Sequence, residues 1–135
     1  MLSIRDLSKA LGRDIISLML PYKNRFHGHG SLRYVYANGN SVRTQKIVVK
    51  FTRNPHRTDS RFAVVVSKKV LKSAVGRNRI RRRVYEIIRK EMPRFDGVFD
   101  VAVMIFHNSV QEMPDEELRS MLVEIFKEAD FYCNK

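Results

Sequence analysis

The chain has 135 residues, 44% of them hydrophobic, which suits one domain with a real core and excludes a compositionally disordered chain. Lys and Arg number 26 against 14 Asp and Glu, a net charge of +12, so the expected partner is a polyanion, either nucleic acid or an anionic membrane surface. The longest apolar runs, at 64–66 and 101–106, are far too short to span a bilayer, and the single cysteine, Cys133, excludes an intrachain disulfide or a cysteine metal cluster, which fits a reducing cytoplasm.

Residues 1–19 read as an N-terminal extension, helical or disordered: Ile4, Leu7, Leu11, Ile15 and Leu18 recur at helical spacing, Gly12 weakens the helix, and Met19 offers a second start. Asp6 and Asp14 interrupt any signal-peptide core. The remainder, 20–135, reads as one domain. It begins with a basic, glycine-rich arm, YKNRFHGHG. Ser31 can cap a short helix carrying Leu32, Val35 and Tyr36 on one face, with Gly39 ending it. KIVVKFT at 46–52 reads as a strand, 54–60 as a polar turn and RFAVVVS at 61–67 as a β-branched central strand. A basic helical stretch follows from about 69 to 91, with Gly76 a candidate break and Pro93 a stop. VFDVAVMIF at 98–106 reads as a third strand. Pro114 opens a last helix with Asp115, Glu116 and Glu117 in its first turn, where the helix dipole favours acids, and with Leu118, Met121, Leu122, Ile125, Phe126 and Ala129 as its apolar stripe. The order α-β-β-α-β-α predicts an α+β single-domain sandwich, with helices packed on one sheet.

The charge is concentrated. Residues 61–90 hold eleven Lys or Arg and one acid, Glu86, whereas 112–135 hold seven acids and three bases. At about 100° per residue, Ile80, Val84, Ile87 and Ile88 share one side of the basic helix. Arg82, Arg89, Asn78 and Tyr85 then point away, with Arg79, Arg83 and Lys90 on one flank and Arg81 on the other. Such a helix docks on a sheet and presents an outer surface made almost wholly of arginine. Repeated like charges at i and i+4, as in Arg79 and Arg83, disfavour the isolated helix and point to an anion there. Arginine suits phosphate because its planar fork donates two parallel hydrogen bonds. A solvated basic face without a specific partner is the plainer alternative.

Residues 65–89, VVSKKVLKSAVGRNRIRRRVYEIIR, resemble the signature of the bacterial ribonuclease P protein subunit: Ser67-Lys68-Lys69 at a strand end, a small-residue turn at Ala74-Val75, then Arg77-Asn78-Arg79-Ile80-Arg81-Arg82 on a helix. Lys23-Asn24-Arg25-Phe26 resembles the family's basic entry, and Leu32-Arg33-Tyr34-Val35-Tyr36 with Gly39 its first helix, so the likeness covers about residues 20–132. It implies a fold like one half of several ribosomal and translation-factor domains, with a left-handed strand–helix–strand crossover where the general rule is right-handed. It implies that Ser67, Lys68, Lys69, Arg77, Asn78, Arg79, Arg81 and Arg82, with Lys23 and Arg25, contact a catalytic RNA. It implies that a cleft between the first helix and the sheet holds the 5′ leader of precursor tRNA, with Leu32, Tyr36 and Lys50 at its usual positions. Leu32 and Lys50 stand where the family often has aromatics, so the cleft would lean on phosphate contacts, and Tyr36 also fits plain core packing. The implied partners are the ribonuclease P RNA and precursor tRNA, with no membrane and no obligate protein partner, in the cytoplasm.

The resemblance implies a subunit of an endoribonuclease whose catalytic centre is RNA, with Mg2+ expected in that RNA and the protein alone expected to be inactive. The residues agree in offering no general acid–base pair or carboxylate cluster. His27 and His29 alternate in the arm and could at most form a weak metal site, since zinc usually takes four ligands. Three rivals stand beside this reading. They are a ribosomal or other structural RNA-binding protein, a DNA-binding regulator, for which no helix-turn-helix or dimer element is evident, and a metal nuclease, for which the ligands are lacking.

Overall fold

The computed structural model describes Asn24, Phe26 and residues 30–132. Among these residues the fold is α+β: a sheet of four strands in the order β1-β2-β4-β3, with three α-helices. Helix α1 spans Gly30–Asn38 and buries Leu32 and Val35. It ends at Gly39, whose N–H donates to the Val35 carbonyl at 2.8 Å. A Cβ on Gly39 would lie 2.5 Å from that oxygen and 3.0 Å from the Phe51 carbonyl, so only glycine lets the chain turn this tightly into the sheet.

That turn leads into β1 (Asn40–Arg43), an edge strand that sequence reading missed. Its residues NSVR are poor strand formers, and one side chain, Val42, is buried. Pairing holds it: β1 runs antiparallel to β2 (Ile47–Arg53) in the register Asn40↔Phe51 to Arg43↔Val48. Thr44 closes the hairpin, its hydroxyl accepting from the Ile47 N–H at 3.0 Å. Strand β2 pairs antiparallel with β4 (Phe99–Ile105), and β3 (Arg61–Val66) pairs parallel with β4. The parallel pair requires a crossover, which α2 (Ala74–Glu91) supplies. Helix α2 starts five residues later than the periodicity suggested, and Gly76 lies in its first turn without breaking it. Helix α3 (Asp115–Glu128) follows Pro114, as expected.

Both faces of the sheet are covered. On one, Val49, Phe62, Val64, Val66, Val101, Val103 and Ile105 pack against α2 and α3 in the larger core. On the other, Val48, Ala63, Val65, Ala102 and Met104 pack against Leu32 and Val35 of α1, with Phe26, Tyr36 and Phe106 at the margin. This is why β3 and β4 are buried at every position and read as unbroken apolar runs. At one end of the sheet the buried Arg61 guanidinium grips Asp100 with two hydrogen bonds of 2.8 and 2.7 Å, and Asn54 donates to the same carboxylate. Phe26 lies over Arg61, 4.9 Å from guanidinium carbon to ring centroid, while the buried Asn24 donates to the Ser60 carbonyl at 2.8 Å. Arg61 therefore contributes to the formal charge and not to the accessible charge.

Candidate nucleic-acid interface

The basic region is built on the connection between β3 and α2. Ser67 is buried, and its carbonyl accepts from the N–H groups of Val70 and Leu71 at 3.1 and 3.2 Å. Ser73 caps α2, its hydroxyl accepting from the Gly76 N–H at 3.1 Å. Between these two serines Lys68, Lys69 and Lys72 are exposed. Lys72 was not singled out from the sequence, although its place one residue before a cap serine in a basic run marks it.

Helix α2 sits at a different rotation from the one its aliphatic residues suggest. Gly76, Arg77, Ile80, Arg81, Val84, Tyr85, Ile88 and Glu91 are its buried residues, and Ile87 is only half-buried. Tyr85, expected to point outward, is buried instead. The cause is the edge of the sheet. Strand β3 is an outer strand, and the Val64 N–H, which faces away from β4, donates to the Tyr85 hydroxyl at 3.1 Å. A buried backbone donor left unpaired would be costly, so the helix turns a tyrosine to it.

That rotation divides the predicted arginines. Arg77 and Arg81 are buried, at 6% and 5% exposure. Arg77 donates from Nη1 to the Leu71 and Lys72 carbonyls at 3.0 and 2.8 Å, and Arg81 donates to the side chain of the half-buried Asn78 at 2.9 Å. Arg79 and Arg82 are exposed and have no ion-pair partner among the described residues, as is also true of Lys68 and Lys72. Arg83 is turned inward to its own chain, donating to the carbonyls of Val110, Gln111 and Met113 and pairing with Asp115 at 2.9 Å. Arg89 and Lys90 pair with Glu86 at 2.6 and 3.8 Å, and the hydrogen bond from Arg89 holds the Glu86 carboxyl below the ordinary carboxylate range. The exposed cations without an ion pair among the described residues are thus Arg79 and Arg82 in the first half of α2 and Lys68 and Lys72 on the connection before it, in place of a continuous arginine ridge.

On the opposite face of the sheet, Lys50 and Tyr36 come together. The Lys50 ammonium donates to the Tyr36 carbonyl at 2.9 Å, near the C-terminus of α1, and lies 4.7 Å from the Tyr36 ring centroid. Both side chains are half-buried. Leu32 does not join them at the surface: it is 1% exposed and belongs to the core, because it faces the sheet directly under α1. Ser41 stands opposite Lys50 and Arg43 opposite Val48, so β1 adds an exposed arginine to this face, which is invisible when the strand is not recognised. Lys23, Arg25, His27 and His29 lie outside the described residues. No group of three or more His, Cys, Asp or Glu that could hold a metal is present among the described residues. No helix among them is long and apolar enough to cross a membrane.

A small α+β sandwich with exposed cations around the start of its crossover helix suits a polyanionic partner, and comparison makes the class specific. A family model described as Ribonuclease P matches residues 20–130. The Ribonuclease P protein component of Pseudanabaena sp. is 34% identical over 78% of this chain and 94% of its own length, and that of Clostridium botulinum is 32% identical over 82% and 97%. The solved RNase P protein of Staphylococcus aureus superposes with a TM-score of 0.72 at 24% identity, covering 82% of this chain and 98% of that one. The protein from Thermotoga maritima gives 0.68 at 25% identity, covering 77% and 96%. The chain belongs to the ribonuclease P protein family, which ties it to tRNA processing and to the ribonuclease P RNA as partner.

Proposed function

We propose that this protein assembles with the ribonuclease P RNA through the cationic patch formed by Lys68, Lys69, Lys72, Arg79 and Arg82, and promotes removal of the 5′ leader from precursor tRNA. The observation that carries this reading is that Arg79 and Arg82 stand exposed with no ion pair among the described residues, although Arg82 shares a groove with Glu86, Asp115 and Glu116. Phosphates binding there would release condensed counterions, so assembly should weaken steeply with salt. The hydrolysis itself falls to the RNA, with magnesium ions held by that RNA, and the protein alone is inactive. Its contribution is electrostatic relief and substrate selection.

The leader of precursor tRNA would lie along the face bearing Tyr36, Lys50 and Arg43. Tyr36 offers a half-buried ring on which a base could stack or a ribose pack, which is tolerant of sequence. Lys50 and Arg43 offer charge to phosphate. Gripping the leader favours substrate over product, since mature tRNA has none, and so aids turnover. The test is reconstitution with cognate RNA and precursor tRNA at low magnesium. The protein should stimulate 5′ cleavage, the stimulation should grow with leader length, and the protein alone should cut nothing. Tyr36→Ala should reduce discrimination between precursor and mature tRNA by roughly 1–3 kcal/mol, leaving assembly with the catalytic RNA intact. Unchanged cleavage on adding the protein, or cutting by the protein unaided, would overturn the reading.

A further inference from the structure

We infer that Arg77 is a positioning residue of the proposed RNA interface, one that fixes the shape of the lysine-bearing connection at 67–73 and does not itself meet RNA. The inference rests on the reading of that patch as the RNA contact.

Arg77 is 6% exposed, which leaves little of the side chain for a phosphate to meet. The same Nη1 group donates to two successive carbonyls of that connection, Leu71 at 3.0 Å and Lys72 at 2.8 Å. The far end of the connection is also tied, by the Val70 and Leu71 N–H groups to the Ser67 carbonyl. Its near end is tied by the Ser73 cap. Gly76 brings the helix so close that a Cβ there would lie 2.8 Å from Leu71 Cδ2. Lys68, Lys69 and Lys72 therefore project from a backbone held at both ends, and Arg77 bonds two of its carbonyls from outside the connection.

The choice of arginine follows from this geometry. A planar guanidinium offers several N–H groups in fixed directions, whereas an ammonium is a compact point charge on a flexible stem. Lysine at 77 would keep the charge and lose the bracing. A direct phosphate contact behaves in the opposite way, because counterion release depends on charge and tolerates lysine.

The experiment measures affinity for the cognate catalytic RNA across a salt series, for the full chain and for Arg79→Ala, Lys72→Ala, Arg77→Ala, Arg77→Lys and the Arg77→Lys/Lys72→Ala pair. Arg79→Ala and Lys72→Ala should each lower the slope of log K against log salt by roughly 0.7 to 0.9. Arg77→Lys should weaken binding about as much as Arg77→Ala, by about tenfold, despite its retained charge. In the Arg77→Lys background the effect of Lys72→Ala should shrink from about tenfold to less than about threefold, the sign of residues acting as one unit. Arg77→Lys carries the decision even if Arg77→Ala does not fold. Wild-type affinity and slope in Arg77→Lys, or effects that simply multiply in the paired variant, would overturn the inference and leave the patch standing. If binding by the unaltered chain ignores salt, Arg79→Ala and Lys72→Ala alike, the patch itself is wrong and the inference falls with it.

Discussion

The two halves of α2 hold similar numbers of basic residues, four in the first and three in the second, and present them differently. In the first half, Arg79 and Arg82 stand exposed, as do Lys68 and Lys72 on the connection before it, with no carboxylate paired to any of them among the described residues. In the second half, Arg83 is bonded to Asp115 and to three carbonyls of the segment before α3, and Arg89 and Lys90 share Glu86. The acids of α3 are there because a helix N-terminus favours them, and the packing of α3 alongside α2 pairs Asp115 with Arg83 of the second half. Arg82, Glu86, Lys90, Asp115, Glu116 and Arg119 consequently line one mixed-charge groove between the two helices. Formal charge therefore overstates the surface available to a polyanion, and the position of each carboxylate decides which cations remain accessible.

The largest expected effect breaks the comparison at the first half. Replacing Arg79 and Arg82 together by alanine should weaken assembly with the catalytic RNA on the order of 100-fold and lower the salt slope by roughly 1.4 to 1.8. The matching pair Arg89→Ala and Lys90→Ala should cost less than about threefold, because those cations already have partners. Equal losses from the two pairs, in filter-binding or fluorescence titrations, would erase the distinction.

Arg83 tests the same contrast from the side of stability. Arg83→Ala removes donors from the Val110, Gln111 and Met113 carbonyls and from Asp115, and should lower unfolding free energy by about 1–3 kcal/mol in urea melts. Its RNA salt slope should stay at the wild-type value. A slope lowered by one phosphate would return Arg83 to the interface.

The smallest effect sharpens the comparison. Glu86→Gln should release Arg89 and Lys90, raise RNA affinity by about two- to threefold and steepen the salt slope. The sign of its pH dependence follows from Glu86. Its folded carboxyl titrates below the unfolded one, chiefly through the hydrogen bond from Arg89, so its stabilising pairs are fully present above the unfolded carboxylate range. They are lost as pH falls through the lowered folded value. Glu86→Gln should remove that acid-dependent part of a thermal-unfolding profile, and an unaltered profile would show that the pairs contribute nothing.

Much of the fold was legible beforehand. The runs KIVVKFT, RFAVVVS and VFDVAVMIF mark β2, β3 and β4 within a residue or so, and Pro114 with three following acids marks the start of α3. Strand β1 was not legible, because NSVR has neither alternation nor β-branched content beyond Val42, and exists through its pairing with β2. The signature at 67–82 correctly identified the family, yet it treated Ser67, Arg77, Asn78, Arg79, Arg81 and Arg82 as one contact set. The structure separates them: Ser67, Arg77 and Arg81 are buried, Asn78 bonds Arg81, and Arg79 and Arg82 are exposed. Leu32 likewise belongs to the core and not to the surface of the candidate cleft, while Lys50 donates to the Tyr36 carbonyl.

From its residues alone this protein's family, its three main strands, its helices and the location of its positive charge could be established, since each depends on local pattern: period, cap, proline and composition. Tertiary structure alone decided which cations reach solvent. Periodicity says which side chains share a face of α2, but the phase of that face is set by what the helix rests on. Here it rests on the edge of β3, where an outward N–H at Val64 requires Tyr85, and meeting that requirement carries Arg77 and Arg81 inward and leaves Arg79 and Arg82 facing solvent.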